Sequence, residues 1–241
     1  MTAPERIVLA SANPKKVAEL RAILEAADLD IELLARPDDV PDVVEDAPDF
    51  IGNARLKARA LVAATGEWAL ADDSGLVVDA LDGAPGVRSA RFAGESATDA
   101  DNVALLLAEL GRVGAVANAA SAGPTPAVPS TPGPARSSSG VPTGPASTGP
   151  TVPAALSWRS ARFRCVIVLA GPDGAEVVAE GTVEGSIADA PSGDAGFGYD
   201  PVFVPADGDG RTFAQMSADE KHAISHRGAA LRSLAAALRA T

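Results

Sequence analysis

The stretch Trp68–Arg91, WALADDSGLVVDALDGAPGVRSAR, constrains this chain more than any other. It opens as a short apolar run, the pattern of a buried strand. The pattern is expected to break at Asp72-Asp73-Ser74-Gly75, resume over Leu76–Leu81, and turn at Gly83-Ala84-Pro85-Gly86. Two acids, a hydroxyl and a glycine at the end of a buried strand are where an open α/β sheet places its chemistry. They are equally what an Asx or Ser turn uses. Strand parity separates the acids, because Trp68, Leu70 and Asp72 share one face while Ala69, Ala71 and Asp73 share the other. The alanine face leaves room for a ligand, which makes Asp73 the expected catalytic carboxylate. Gly75 then permits positive φ or close backbone approach.

Nearly half of the 241 residues are hydrophobic, enough for a sizeable core. The net charge of −12 argues against wrapping by DNA or RNA, which needs a basic face. It leaves room for a small phosphorylated ligand held by locally gathered cations and a metal ion. One cysteine, Cys165, excludes an internal disulfide and fits a reducing compartment. The opening MTAPERIVLASANPKK has too short an apolar run for a signal peptide, and no segment is long enough to span a bilayer. A cytoplasmic protein without a membrane or nucleic-acid partner is expected.

Lysine usage is informative. The chain has sixteen arginines and only four lysines, Lys15, Lys16, Lys57 and Lys221. A lysine is a compact charge on a flexible stem, suited to a phosphate oxygen, although each could also be a solvated helix residue. Ile7–Ala10 reads as a strand running into Ser11-Ala12-Asn13-Pro14-Lys15-Lys16 and then a helix, with Asn13 as N-cap and Pro14 as first helical residue. Cations in a first helical turn are unfavourable unless an anion sits there, and helix N-termini bind phosphates. An ordinary βα turn with solvated lysines is the competing reading.

A second strand is expected at Ile31–Leu34, an acidic loop over residues 36–49, and a helix from about Phe50 to Ala64 carrying Asn53, Lys57 and Arg59. Thr98–Leu110 reads as an amphipathic helix. From about 113 to 157 the composition collapses to small and turn-forming residues with Arg136 as its charge, which predicts a disordered insert within a single domain spanning 1–241. Ala161–Ala170 and Glu176–Val183 form a hairpin, and Val202–Val204 a last strand. Ser217-Ala218-Asp219-Glu220 is a capping box, followed by Lys221, His222, His226 and Arg227 and a C-terminal amphipathic helix. A break near Ser225 would let Lys221, His226 and Arg227 converge on an anion or a base carbonyl; helix capping is the alternative.

Five segments in order, SANPKK (11–16), FIGNARLKARA (50–60), ADDSGLVVDALDGAPGVRSAR (71–91), GFGYDPVF (196–203) and EKHAISHRGAAL (220–231), resemble the inosine triphosphate pyrophosphatase family. These enzymes hydrolyse non-standard purine triphosphates. The resemblance implies an α/β fold, an elongated mixed β-sheet with flanking helices in two lobes with the active-site cleft between them. It also implies Mg2+ dependence and a homodimer. It assigns Ser11, Ala12, Asn13, Pro14, Lys15 and Lys16 to the phosphates by side chain or backbone, with Lys57 in support. Asp73 becomes proton acceptor and metal ligand, Glu45 a second metal ligand, and Ser74 a substrate contact. Phe197, Gly198, Tyr199 and Asp200 form the base pocket, and Lys221, His226 and Arg227 complete nucleotide binding.

The chain departs from the pattern at Ala12, where glycine is common, at Gly52, where glutamate is frequent, and in the insert, which makes it longer than its family. The implied reaction converts ITP, dITP or XTP to the monophosphate and pyrophosphate. A haloacid dehalogenase-type phosphatase would need a DxD motif directly after an early strand, and none follows Ile7–Ala10 or Ile31–Leu34. A nucleotide-binding regulatory protein without turnover would keep the lysines and aromatics without the Asp73–Glu45 pair.

Overall fold

The structure is a computed structural model that describes residues 4–11, 14–26, 29–121 and 158–240. Their elements are β1 (Arg6–Leu9), α1 (Pro14–Ala26), β2 (Glu32–Leu34), α2 (Phe50–Thr65), β3 (Trp68–Val78), α3 (Asp99–Ser121), β4 (Ser160–Ala170), β5 (Glu176–Ile187), β6 (Phe203–Pro205), α4 (Ala218–Ile224) and α5 (His226–Arg239). The strands make one mixed sheet in the order β2-β1-β3-β4-β5-β6. β1 is parallel to both neighbours, and every other pairing is antiparallel. The expected mixed α/β sheet with flanking helices is therefore the fold.

The central strand differs from its sequence reading. β3 does not break at Asp72–Gly75: these residues stay in register opposite Ile167, Val166, Cys165 and Arg164 of β4. Their turn preference is local, and a full antiparallel partner satisfies their backbone groups instead. β3 ends at Val78, and Asp79–Leu81 is a 3₁₀ turn rather than strand. What ends before the acids is the neighbouring strand. β1 pairs β3 only from Trp68 to Leu70, and the Ala10 amide donates to the Leu70 carbonyl just beyond. Asp72, Asp73 and Ser74 thus lie where β3 has lost a neighbour, and the chain from β1 turns away into α1.

The two sheet faces are packed differently. Ala54 and Ala58 of α2 lie fully buried in one cluster with Ala71, Val166 and Val168. The alanine face of β3 therefore admits a close-packed helix, not a ligand as the parity argument supposed. On the other face Leu70, Ile167 and Leu169 pack with Leu20 of α1 and Leu231 and Leu234 of α5. Further along the long strands, Leu76, Val78, Leu106, Phe203 and Phe213 make a separate core for the second lobe.

α3 runs to Ser121, past the expected end at Leu110 and into the segment expected to be a disordered insert from 113. Alanine-rich sequence favours helix strongly enough to offset Gly111 and Gly114. Gly114 also faces the Trp158 ring, which a Cβ there would meet at 3.0 Å. The remainder of the expected insert, 122–157, lies outside the described residues. No described helix is long and apolar enough to cross a membrane.

Candidate active site

α2 carries the first half of the site. Asp49 caps it by accepting from the Gly52 amide at 2.8 Å, and Gly66 ends it in the left-handed region at φ 69°. Asn53 and Lys57 are one turn apart and share a face. That face meets Asp73: Asn53 Nδ2 donates to Asp73 Oδ2 at 3.2 Å and Lys57 Nζ donates to Asp73 Oδ1 at 3.4 Å. Lys57 Nζ also lies 3.3 Å from Glu45 Oε1. One ammonium therefore sits between two carboxylates that come from a loop and a central strand.

Burial pushes the Asp73 carboxyl up to about 6, with Lys57 opposing the rise and Glu45 adding to it. This places its proton-accepting form near neutral pH, as a general base requires. The Glu45 loop is fixed at two points the sequence did not reveal. The Ala47 amide donates to Asn53 Oδ1 at 2.9 Å, and Arg91 Nη2 donates to the Glu45 carbonyl at 2.9 Å. Gly52 belongs to the same contact, because a Cβ there would meet Ala47 Cβ at 2.6 Å. The glycine departure thus lets the Glu45 loop lie directly against α2.

Asp72 points the other way. Arg227 Nη2, at the start of α5, donates to Asp72 Oδ2 at 3.4 Å and to Ser74 Oγ at 3.2 Å. The chain does break at Ser225, whose backbone is extended and whose Oγ caps α5 by accepting from the Gly228 amide at 3.1 Å. That break brings Lys221 and Arg227 to one ring: Lys221 Nζ lies 4.9 Å and Arg227 Cζ 5.8 Å from the Phe197 centroid. His226 is buried and stacks on Phe163 at 4.7 Å. The Ser217–Glu220 capping box forms as expected.

The Phe197–Asp200 turn is held internally. The Asp200 carboxylate pairs with Lys221 and accepts from the Phe197 amide at 2.9 Å. Asp99, unmarked by any sequence signal, accepts from the Gly198 amide at 2.7 Å. Tyr199 donates its hydroxyl to the Ser89 carbonyl at 3.0 Å, and burial raises its pKa. Phe197 is 43% exposed where Tyr199 is 3%, so Phe197 is the ring available for stacking. Gly75 shows close approach rather than positive φ: a Cβ there would meet the Gly86 carbonyl at 2.4 Å and Ser89 Oγ at 2.5 Å.

The cavities join these groups. One of about 240 Å³ is lined by Ser11, Glu45, Lys57 and Asp72 among others. A second, about 130 Å³, is lined by Ser74, Phe197, Gly198, Tyr199, Asp200, Lys221, His226 and Arg227. A narrow and mostly apolar crevice shares Ser11 and Asp72 with the first and Arg227 with the second. Pro14, Lys15 and Lys16 form the first turn of α1. Ala12 and Asn13 lie outside the described residues.

The donor set around Lys57 suits a hard divalent cation. Glu45 and Asp73 both direct oxygens at the place the Lys57 ammonium holds, and among the described residues no cluster of three or more ligating side chains exists. Mg2+ commonly takes one or two carboxylates plus phosphate oxygens and water, so Glu45, which lines the cavity, and the buried Asp73 beside it are the carboxylates that would hold it.

The Ham1 family model matches residues 7–144 and 151–237. The dITP/XTP pyrophosphatase of Streptomyces coelicolor is 41% identical over 237 residues, covering 97% of each chain. A HAM1 protein from Coxiella burnetii superposes with a TM-score of 0.75 at 36% identity over all of both chains. The nucleoside-triphosphatase/dITP/XTP pyrophosphatase from Mycobacterium abscessus gives 0.65 at 41% identity over 97% of each. With full-length matches to sequences and structures alike, this chain belongs to the Ham1 family.

Proposed function

We propose that this protein is a nucleoside-triphosphate pyrophosphatase that cleaves dITP, ITP and XTP to the monophosphate and pyrophosphate. The observation that carries the reading is Arg227, which touches the Phe197 shelf on one side and Asp72 and Ser74 of the central strand on the other. A purine on Phe197 and a phosphate chain beside Glu45 and Lys57 are then parts of one ligand. The names of the relatives support the same substrates.

Asp73 takes the proton from the water that attacks the α-phosphorus, and Asn53 holds one of its oxygens in place. Glu45 and Asp73 would hold Mg2+, which when bound neutralises charge on the triphosphate and on departing pyrophosphate. Lys57 and Arg227 stabilise phosphate charge as it shifts toward the leaving group. At the base, the cationic donors Lys221 and Arg227 suit a 6-keto oxygen. A 6-amino group would set donor against donor, a costly unpaired contact. The protein acts as a homodimer in the cytoplasm, in keeping with the family resemblance and a single buried thiol.

The test is product analysis with dITP, XTP and dATP in Mg2+. Pyrophosphate release from the first two is expected, with kcat/KM for dATP at least about a hundredfold lower. Equal efficiency on dATP, or binding of dITP without turnover, would refute the reading; the second outcome would instead indicate a regulatory nucleotide-binding protein. Sedimentation tests the dimer.

A further inference from the structure

Arg36 has no part in the sequence reading, yet it lines the same 240 Å³ cavity as Ser11, Glu45, Lys57 and Asp72. Among the described residues, Arg36 and Lys57 are the two cations of that cavity. Lys57 is already engaged between Glu45 and Asp73. Arg36 donates from Nη1 to Asp42 Oδ1 at 2.7 Å and from Nη2 to the Val40 carbonyl at 2.6 Å. These two bonds occupy only part of a guanidinium with five N–H donors. The partner acid is poorly placed to hold it: the Asp42 side chain is 94% exposed, against 23% for Arg36. An exposed ion pair is weak and screened, whereas a phosphate offers paired oxygens to the planar fork.

The order of the cavities sets Arg36 apart from the base side. Arg227 borders both the base-side cavity and the crevice, and Ser11 and Asp72 border both the crevice and the cavity of Arg36. Arg36 does not line the two nearer spaces, so it stands at the end of the track remote from the base.

We propose that Arg36 grips the pyrophosphate end of the triphosphate, exchanging its Asp42 carboxylate for phosphate oxygens when substrate enters. This rests on the cleft being a triphosphate site, and it adds a determinant of chain length to that reading: triphosphate and pyrophosphate reach Arg36, and a monophosphate does not.

Calorimetric titration of pyrophosphate and of IMP, each with Mg2+, into the unaltered protein and into Arg36→Gln and Asp42→Asn tests it. Arg36→Gln is expected to raise the pyrophosphate Kd by about tenfold or more, the loss expected for a charge-assisted bidentate contact, while the IMP Kd moves by less than about twofold. KM for dITP should rise in step, with kcat changed by no more than about threefold, as for a contact already made in the ground state. Asp42→Asn should bind pyrophosphate as tightly as the unaltered protein or more tightly.

A pyrophosphate Kd unchanged in Arg36→Gln would overturn the proposal, as would undetectable pyrophosphate binding by the unaltered protein. Equal weakening for IMP and pyrophosphate with a lowered Tm would also overturn it, reducing Arg36 to an anchor of the Val40 loop. Arg36-dependent pyrophosphate binding in a protein that fails to turn over dITP would sink the hydrolase reading alone. Turnover of dITP with Arg36-independent pyrophosphate binding would sink this proposal alone.

Discussion

The two ends of the cleft use opposite faces of the same strand and opposite electrostatic strategies. At the α2 end, Asp73 and Glu45 share a single ammonium, and burial leaves the Asp73 carboxyl with a strongly raised pKa. At the α5 end, Asp200 has Lys221 and a backbone amide, and Asp72 has Arg227. The first cluster sets two carboxylates against one ammonium. The second is balanced without ligand and presents a fixed aromatic shelf. The proposed function puts catalysis where two carboxylates share one ammonium, and recognition where each acid has its own cation. That division matches the general tendency of strongly perturbed groups to mark reacting positions.

The sharpest way to break the comparison is Asp73→Asn, which should lower kcat by about 10²–10⁴, the range for loss of a general base. The same change tests the charge imbalance through stability. Because the folded pKa is about 6 against an ordinary 3.8, the folded state holds this proton more tightly than the unfolded chain. The contribution to stability is full below pH 3.8 and lost as pH rises through about 6. Asp73→Asn should therefore raise Tm by about 2–6 °C at pH 7.5 and by little at pH 4, measured by scanning calorimetry without Mg2+. A Tm loss at pH 7.5 would mean that Asp73 is as well satisfied as the acids at the other end.

At the balanced end, Lys221→Met should cut kcat/KM for dITP by about 10²-fold and lower discrimination against dATP, since it removes a base-side donor and strands Asp200. Retained discrimination would move base reading to Arg227 or to backbone. The smallest effect is expected for Tyr199→Phe. It removes one buried hydrogen bond, to the Ser89 carbonyl, at a cost of about 0.5–1.5 kcal/mol in unfolding free energy, while KM for dITP stays within about twofold. A large KM change would make the tyrosine hydroxyl a ligand contact.

Much of this site was legible because its parts are local. The Ser217 capping box, the break at Ser225 and the cations after it follow from short-range rules, and they place Lys221 and Arg227 correctly. The parity argument for Asp73 holds only in part. Alternation put it on the alanine face, but those alanines accommodate α2, and the room for ligand arises because β1 ends beside Leu70. Arg91 and Asp99 carry no local mark of their roles, since each acts on a loop far away in sequence, and Asn53 joins a loop six residues before it to Asp73, twenty residues after it. The continuity of β3 was missed for the same kind of reason. A turn-prone Asp-Asp-Ser-Gly is kept extended by β4, some ninety residues downstream.

The most direct test of the central claim is hydrolysis of dITP in H₂¹⁸O, followed by mass analysis of both products. The proposed mechanism has Asp73 activate water for attack at the α-phosphorus, so one heavy oxygen should appear in the monophosphate and none in pyrophosphate, at a rate that collapses in Asp73→Asn. Label in pyrophosphate, or release of labelled orthophosphate, would contradict the account.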